Sequence, residues 1–95
     1  MPRTLSTQPH DVFLGMLREA RARQGITQEA LAEAINFRQS DVSKVERGVR
    51  RLDVLELRAW VTALGIPFAV FAGELDARLA STEVLGRQAS PRRGP

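Results

Sequence analysis

The stretch Gln39-Ser40-Asp41-Val42-Ser43-Lys44-Val45-Glu46-Arg47-Gly48 decides how this chain folds. At the helical period of about 3.6 residues, Val42, Val45, Glu46 and Val49 fall on one side and Ser40, Ser43, Lys44 and Arg47 on the other. The valine side can enter a core. The opposite side carries hydroxyls and cations, groups that hydrogen-bond phosphate oxygens and base edges. It is a candidate recognition helix.

Upstream, Thr27 reads as an N-cap for a short helix, with Gln28 and Glu29 in its first turn and Leu31, Ala34 and Ile35 as its buried stripe. Asn36, which accepts left-handed backbone, follows, and Phe37 can plug the corner before the recognition segment. Two short helices joined by so few residues make a helix-turn-helix unit. An earlier amphipathic helix carries Phe13, Met16, Leu17 and Ala20 inward and closes at Gly25.

Downstream, Gly48 and the pair Arg50-Arg51 form a basic connection. Asp53 with Glu56 reads as a capping box for a fourth helix whose stripe is Leu57, Trp60, Val61 and Leu64, ended by Gly65. Pro67 restarts the chain. Phe68, Phe71, Leu75 and Leu79 then recur at a spacing that either caps the core or meets a second copy. The expected organisation is a disordered leader over 1–10, a helix-turn-helix domain over 11–72, a helical extension over 73–82 and a disordered basic tail over 83–95.

Composition limits the function. The chain has 95 residues, of which 43% are apolar, enough for one small core. It has no cysteine and one histidine, His10, placed in the polar leader. Disulfides, metal ligation and histidine catalysis have almost no material to work with, so an enzyme, a metal or a cofactor is not expected. The most apolar run, 59–73, falls short of the roughly 20 residues a membrane span needs, and the leader lacks a signal-peptide core. The expected compartment is the cytoplasm, at the nucleoid when bound. The net charge is only +3, yet between Arg38 and Arg51 five cations face two anions, so the positive field is local.

Taken in order, Leu17-Arg18, Arg21, Gly25-Ile26-Thr27-Gln28-Glu29 and Leu31-Ala32, then Gln39-Ser40, Val42-Ser43-Lys44-Val45-Glu46-Arg47-Gly48 and Ala63-Leu64-Gly65 resemble the phage-repressor and Cro type of helix-turn-helix domain, the xenobiotic-response-element family. The resemblance covers roughly Phe13 to Phe71 and implies an all-α, compact, lambda-repressor-like fold of five helices, with the third lying in the major groove. It implies double-stranded DNA as partner. The residue matching Gln28 anchors a phosphate, and those matching Arg38, Gln39, Ser40, Ser43 and Lys44 face the duplex. Gln39 can pair with adenine, and Lys44 or Arg38 with guanine. Arg47, Arg50 and Arg51 suit phosphates.

The resemblance further implies that Arg21 pairs with Glu46, which answers the problem of a carboxylate on the inner side of the third helix. Two positions depart from the family pattern. Arg38 stands where a hydroxyl cap is usual, and Asp41 brings a negative charge that repels the backbone but can accept from cytosine. Thr27 is chiefly a cap, with DNA contact secondary. The leading reading is a sequence-specific regulator, a repressor acting as a homodimer through Phe68, Phe71, Leu75 and Leu79. The alternative is an antitoxin or adaptor that offers this apolar stripe to a partner protein such as a toxin.

Overall fold

The computed structural model describes residues 8–86. Five helices and no strand occur among them: α1 (Gln8–Gln24), α2 (Gln28–Ile35), α3 (Gln39–Glu46), α4 (Val54–Ala63) and α5 (Phe68–Gly86). The architecture is all-α, with α2 and α3 forming a tight pair beside α1, α4 and α5. No single helix among the described residues is long and apolar enough to cross a membrane.

The core gathers Leu14, Met16, Leu17 and Ala20 of α1, Leu31 and Ala32 of α2, Val42 and Val45 of α3, Trp60, Val61 and Leu64 around α4, and Phe71 of α5. Leu14 is buried where the sequence reading put Phe13, which packs at the core margin edge-on to Phe71 at 6.2 Å. On α2 the inward residues are Leu31 and Ala32, and Ala34 is exposed. Both shifts arise because neighbouring helices select which part of a broad apolar stripe lies innermost.

Local chemistry sets the boundaries. Thr27 caps α2, its Oγ1 accepting from the N–H of Ala30 at 3.0 Å, and Asn36 ends it in left-handed backbone at φ 62°. Asp53 and Glu56 close the capping box of α4. The N–H of Glu56 donates to Asp53 Oδ1 at 2.7 Å, and the N–H of Asp53 donates to Glu56 Oε1 at 3.0 Å. Arg38 stands at the N-cap of α3 without a side-chain cap.

Gly48 stops the chain after α3 with φ +83°, and an added Cβ would lie 3.0 Å from Leu14 Cδ1, so both backbone and space call for glycine. Val49 therefore falls beyond the helix. It is 57% exposed and not on the inner face where an extended helical wheel puts it.

Three boundaries differ from expectation. α1 starts at Gln8, inside the 1–10 leader, because proline suits the first turn of a helix. α5 runs unbroken through 73, so 73–82 is part of the same rod that begins at Phe68. It also continues to Gly86, past the expected start of the tail at 83, because Thr82-Glu83-Val84-Leu85 contains no breaker. Positions 1–7 and 87–95, the rest of the leader and tail, lie outside the described residues.

The stripe on α5 belongs largely to this monomer. Phe71 is 3% exposed, Phe68 and Leu75 pack against the core, and Leu79 is half-buried. A self-association surface built on Phe71 is thereby corrected, since the ring is already spent on its own fold. Arg78 adds a polar tie at the rim of the α1–α5 contact, its Nη2 lying 2.8 Å from Glu74 Oε2 and 3.5 Å from Glu19 Oε1.

Candidate nucleic-acid interface

The α2–α3 unit is held from below and above by its turn. Phe37 meets Trp60 edge-on at 6.2 Å, and the Arg50 guanidinium lies 4.9 Å from the Phe37 ring centroid. Arg50 is also pinned sideways, with Nη2 donating to Glu56 Oε2 at 3.2 Å. Those hydrogen bonds matter to Glu56 as well. Its pKa is lowered, first by the N–H of Asp53 and then by Arg50. Arg50 thus clamps the basic connection to α4 and the turn, a job the Arg50-Arg51 pair does not advertise in sequence.

The remaining candidates spread over one surface. Gln39, Ser40, Lys44 and Arg47 are exposed on α3, Asp41 and Ser43 are half-buried, and Arg38 and Arg51 are exposed at its flanks. Arg47 Nε donates to Ser43 Oγ at 3.2 Å, which steers the guanidinium along the helix. Among the described residues, Arg38, Lys44 and Arg51 make no side-chain hydrogen bond or ion pair. Thr27 has its hydroxyl engaged in capping.

Beneath this surface runs a directed polar chain. Arg21 donates twice to Glu46, from Nε to Oε2 at 2.7 Å and from Nη2 to Oε1 at 2.9 Å. Gln28 Nε2 donates to Glu46 Oε1 at 3.0 Å, and Gln39 Nε2 donates to Gln28 Oε1 at 2.8 Å. The ion pair that the resemblance implies is therefore present, bidentate, with Glu46 only 4% exposed. The Arg21 pKa is raised, chiefly by the hydrogen bonds to Glu46 and against the opposing effect of burial. Arg21 Nη1 also donates to the carbonyl of Ile26 at 2.8 Å, tying the α1–α2 corner to α3.

One participant escaped the sequence reading. Arg18 Nη1 donates to the carbonyl of Glu46 at 2.7 Å, at the negative end of α3. It lines an open cleft of about 470 Å³ with Asp11, Leu14, Gln28, Glu46 and Arg47. The signal was its place three residues before Arg21, on the same helical face.

This arrangement, two short helices with a cation-bearing outer face braced on a buried ion pair, is that of a DNA-binding helix-turn-helix domain. The sequence profile of HTH_3, "Helix-turn-helix", matches residues 17–71, more than half of the chain, and the chain belongs to that family.

Its solved relatives place it in the xenobiotic-response-element type. An "XRE-family like protein" from Pseudomonas syringae pv. tomato str. DC3000 superposes with a TM-score of 0.70 at 37% identity, over 74% of this chain and 85% of that one. The clp gene regulator ClgR from Corynebacterium glutamicum superposes with a TM-score of 0.63 at 26% identity, over 83% of this chain and 88% of that one. A Mycobacterium tuberculosis protein named "Putative antitoxin HigA2" is 44% identical over 61 residues, 63% of this chain. The match spans about half, 54%, of that curated relative's length.

Proposed function

We propose that this protein is a sequence-specific transcriptional regulator, a repressor that lays α3 in the major groove of operator DNA as a homodimer. The observation that carries the reading is the outer face of α3, where Gln39, Ser40 and Lys44 stand exposed above a braced scaffold, flanked by Arg38 and Arg51 with no internal partner among the described residues. One helix reads only a few base pairs, so a two-fold pair of helices is how such a module reaches useful specificity.

The roles divide by reach. Gln39 addresses adenine, and Lys44 or Arg38 addresses guanine. Ser40 and Ser43 supply short hydroxyl contacts, and Asp41 accepts from cytosine N4. Gln28, Arg47 and Arg51 hold phosphates. Thr27 positions Gln28 by starting α2, its Oγ1 accepting from the N–H of Ala30, and its O–H is left to donate to a phosphate in a secondary role. Arg50 supports the basic connection, since Glu56 already occupies it.

Selection of bound sites from a random duplex pool, followed by affinity measurements across salt, tests the reading. Replacing Arg47 and Arg51 by Gln should lower affinity for all sequences and flatten the salt slope by roughly 0.9 per lost phosphate contact. Gln39→Ala with Lys44→Ala should abolish discrimination while helix content stays unchanged. Intact discrimination in that double variant refutes the reading.

A second reading, that the chain also engages a partner protein such as a toxin, draws support from the likeness to "Putative antitoxin HigA2". The apolar surface available for it lies at Val54 and Leu55, 60% and 74% exposed, and at Val70, 60% exposed. Sedimentation of the wild-type chain and of Leu55→Glu separates a self-made dimer from a monomer that awaits another protein.

A further inference from the structure

We infer that the groove between α1 and α5 is the docking site for a basic amphipathic helix of a partner protein, which rests on the second reading above, that the chain engages another protein, and gives that engagement a place and a chemistry.

α5 has two faces, and its own fold uses one of them. Phe71, Leu75, Arg78 and Leu79 turn toward the body of the domain, buried or half-buried. On the other side Val70, Gly73, Ala77 and Ala80 follow one another at steps of three, four and three residues, and all four are exposed. That is the spacing along which a second helix packs, and the glycine and alanines let two backbones come close. Beside Val70 the α1–α5 junction opens into a cleft of about 190 Å³ floored by Met16, Ala20, Ile66 and Phe71. An apolar cavity of roughly 150 Å³ holds a benzene molecule, so this cleft admits one large apolar side chain from a helix laid on the row.

The charges around the groove choose among occupants. Glu19 and Glu74 stand on its rim, and Asp76 flanks the row on α5. The rim cations are already committed. Arg78 donates to Glu74 Oε2 from Nε at 3.1 Å and from Nη2 at 2.8 Å, and to Glu19 Oε1 at 3.5 Å. Arg23 Nη2 lies 4.0 Å from Glu19 Oε1. Glu19 Oε2, Glu74 Oε1 and both oxygens of Asp76 accept no hydrogen bond among the described residues. Cations are spent and acceptors are spare, so Lys or Arg side chains flanking an incoming apolar seam find their counterparts here.

The same charges turn other occupants away. Duplex phosphates are repelled. In a second copy docked two-fold on α5, Glu74 and Asp76 meet their own counterparts, while Arg78 of each chain is held inward. No residue proposed above to face the duplex lines the groove, so a partner seated in it leaves α3 open.

The test uses the full chain and a displayed library of amphipathic helices with a fixed apolar seam and flanks drawn from Lys, Arg, Glu, Asp and Ser. Selection on the wild-type protein should enrich Lys and Arg in the flanks, and the selected peptides, made synthetically, should bind less tightly as salt rises. Val70→Asp should lower their affinity by on the order of 10- to 100-fold, the value of burying one valine side chain. Asp76→Lys should lower it about 2- to 10-fold, as expected for exposed charges. Val70 is 60% exposed, so the variant keeps its fold, which an unchanged circular dichroism melt verifies.

Enrichment of acidic or uncharged flanks, or equal binding to wild type and Val70→Asp, overturns the docking site. If such peptides instead lose their binding on Leu55→Glu, the partner reading stands and the groove is not its place. A library that yields no binder to the wild-type chain sinks both together. A wild-type dimer in sedimentation that Val70→Asp dissociates shows the groove filled by a second copy, and that too overturns the assignment.

Discussion

Replacing Arg21 by Met should remove more stability than any surface charge change in this protein. Glu46 is 4% exposed and receives three N–H groups, two from Arg21 and one from Gln28. The variant leaves the carboxylate with Gln28 alone. Removing one member of a buried pair costs about 3–5 kcal/mol. The Arg21 side chain is 21% exposed, so water can reach the gap and the lower end, about 3 kcal/mol, applies. Losing the bond to the Ile26 carbonyl adds about 0.5–1.5 kcal/mol.

For a domain of this size each kcal/mol moves the melting temperature by roughly 4–8 °C, so a fall of roughly 12–24 °C is expected from the pair alone. Circular dichroism melts and urea unfolding measure it. Arg21→Met with Glu46→Leu should recover most of the loss, since a hydrophobic pair in place of a buried ion pair is often neutral or better. A loss below about 1 kcal/mol for Arg21→Met, the range of exposed pairs, would refute the claim that Glu46 is sealed from water.

The other expectations are simpler. Phe71→Ala should cost about 3–5 kcal/mol at every protein concentration, because the ring fills the monomer's own core, and a folded but merely dissociated variant would contradict the packing. Asp53→Ala should cost about 1 kcal/mol in urea unfolding by removing the cap of α4. Glu56 titrates below its ordinary value near 4.5, so its contribution is present above that pH and is lost as pH falls through the depressed value. Arg50→Gln should move the Glu56 midpoint upward in a carboxyl titration followed by nuclear magnetic resonance, and an unmoved midpoint would count against the clamp.

Capping and turn residues made the helices legible in advance: Thr27, Asn36, Gly48, Asp53 with Glu56, and Gly65 act within a few positions of themselves, and a linear pattern records such chemistry directly. The α3 face was legible for the same reason. What lay beyond reach was partnership across the fold. Arg50 reads as one of two equivalent cations, and only the packing of α4 against the turn brings Glu56 and Phe37 to it. Glu46 announced a conflict, a charge on the inner face, without giving the direction of the bonds that resolve it. Phe68, Phe71 and Leu75 were ambiguous because core and interface demand the same spacing, and the position of α1 decides between them.

Trp60 has a practical consequence. It is the chain's one indole, no tyrosine accompanies it, it is fully buried, and its Nε1 has no hydrogen-bond acceptor among the described residues. Its fluorescence should therefore be blue-shifted in the native protein and move to the red on unfolding, an optical gauge that needs no label. Since the indole touches the edge of Phe37 in the turn ahead of α3, a change in its colour on mixing with duplex would report that occupancy of the outer surface has been felt in the hydrocarbon interior.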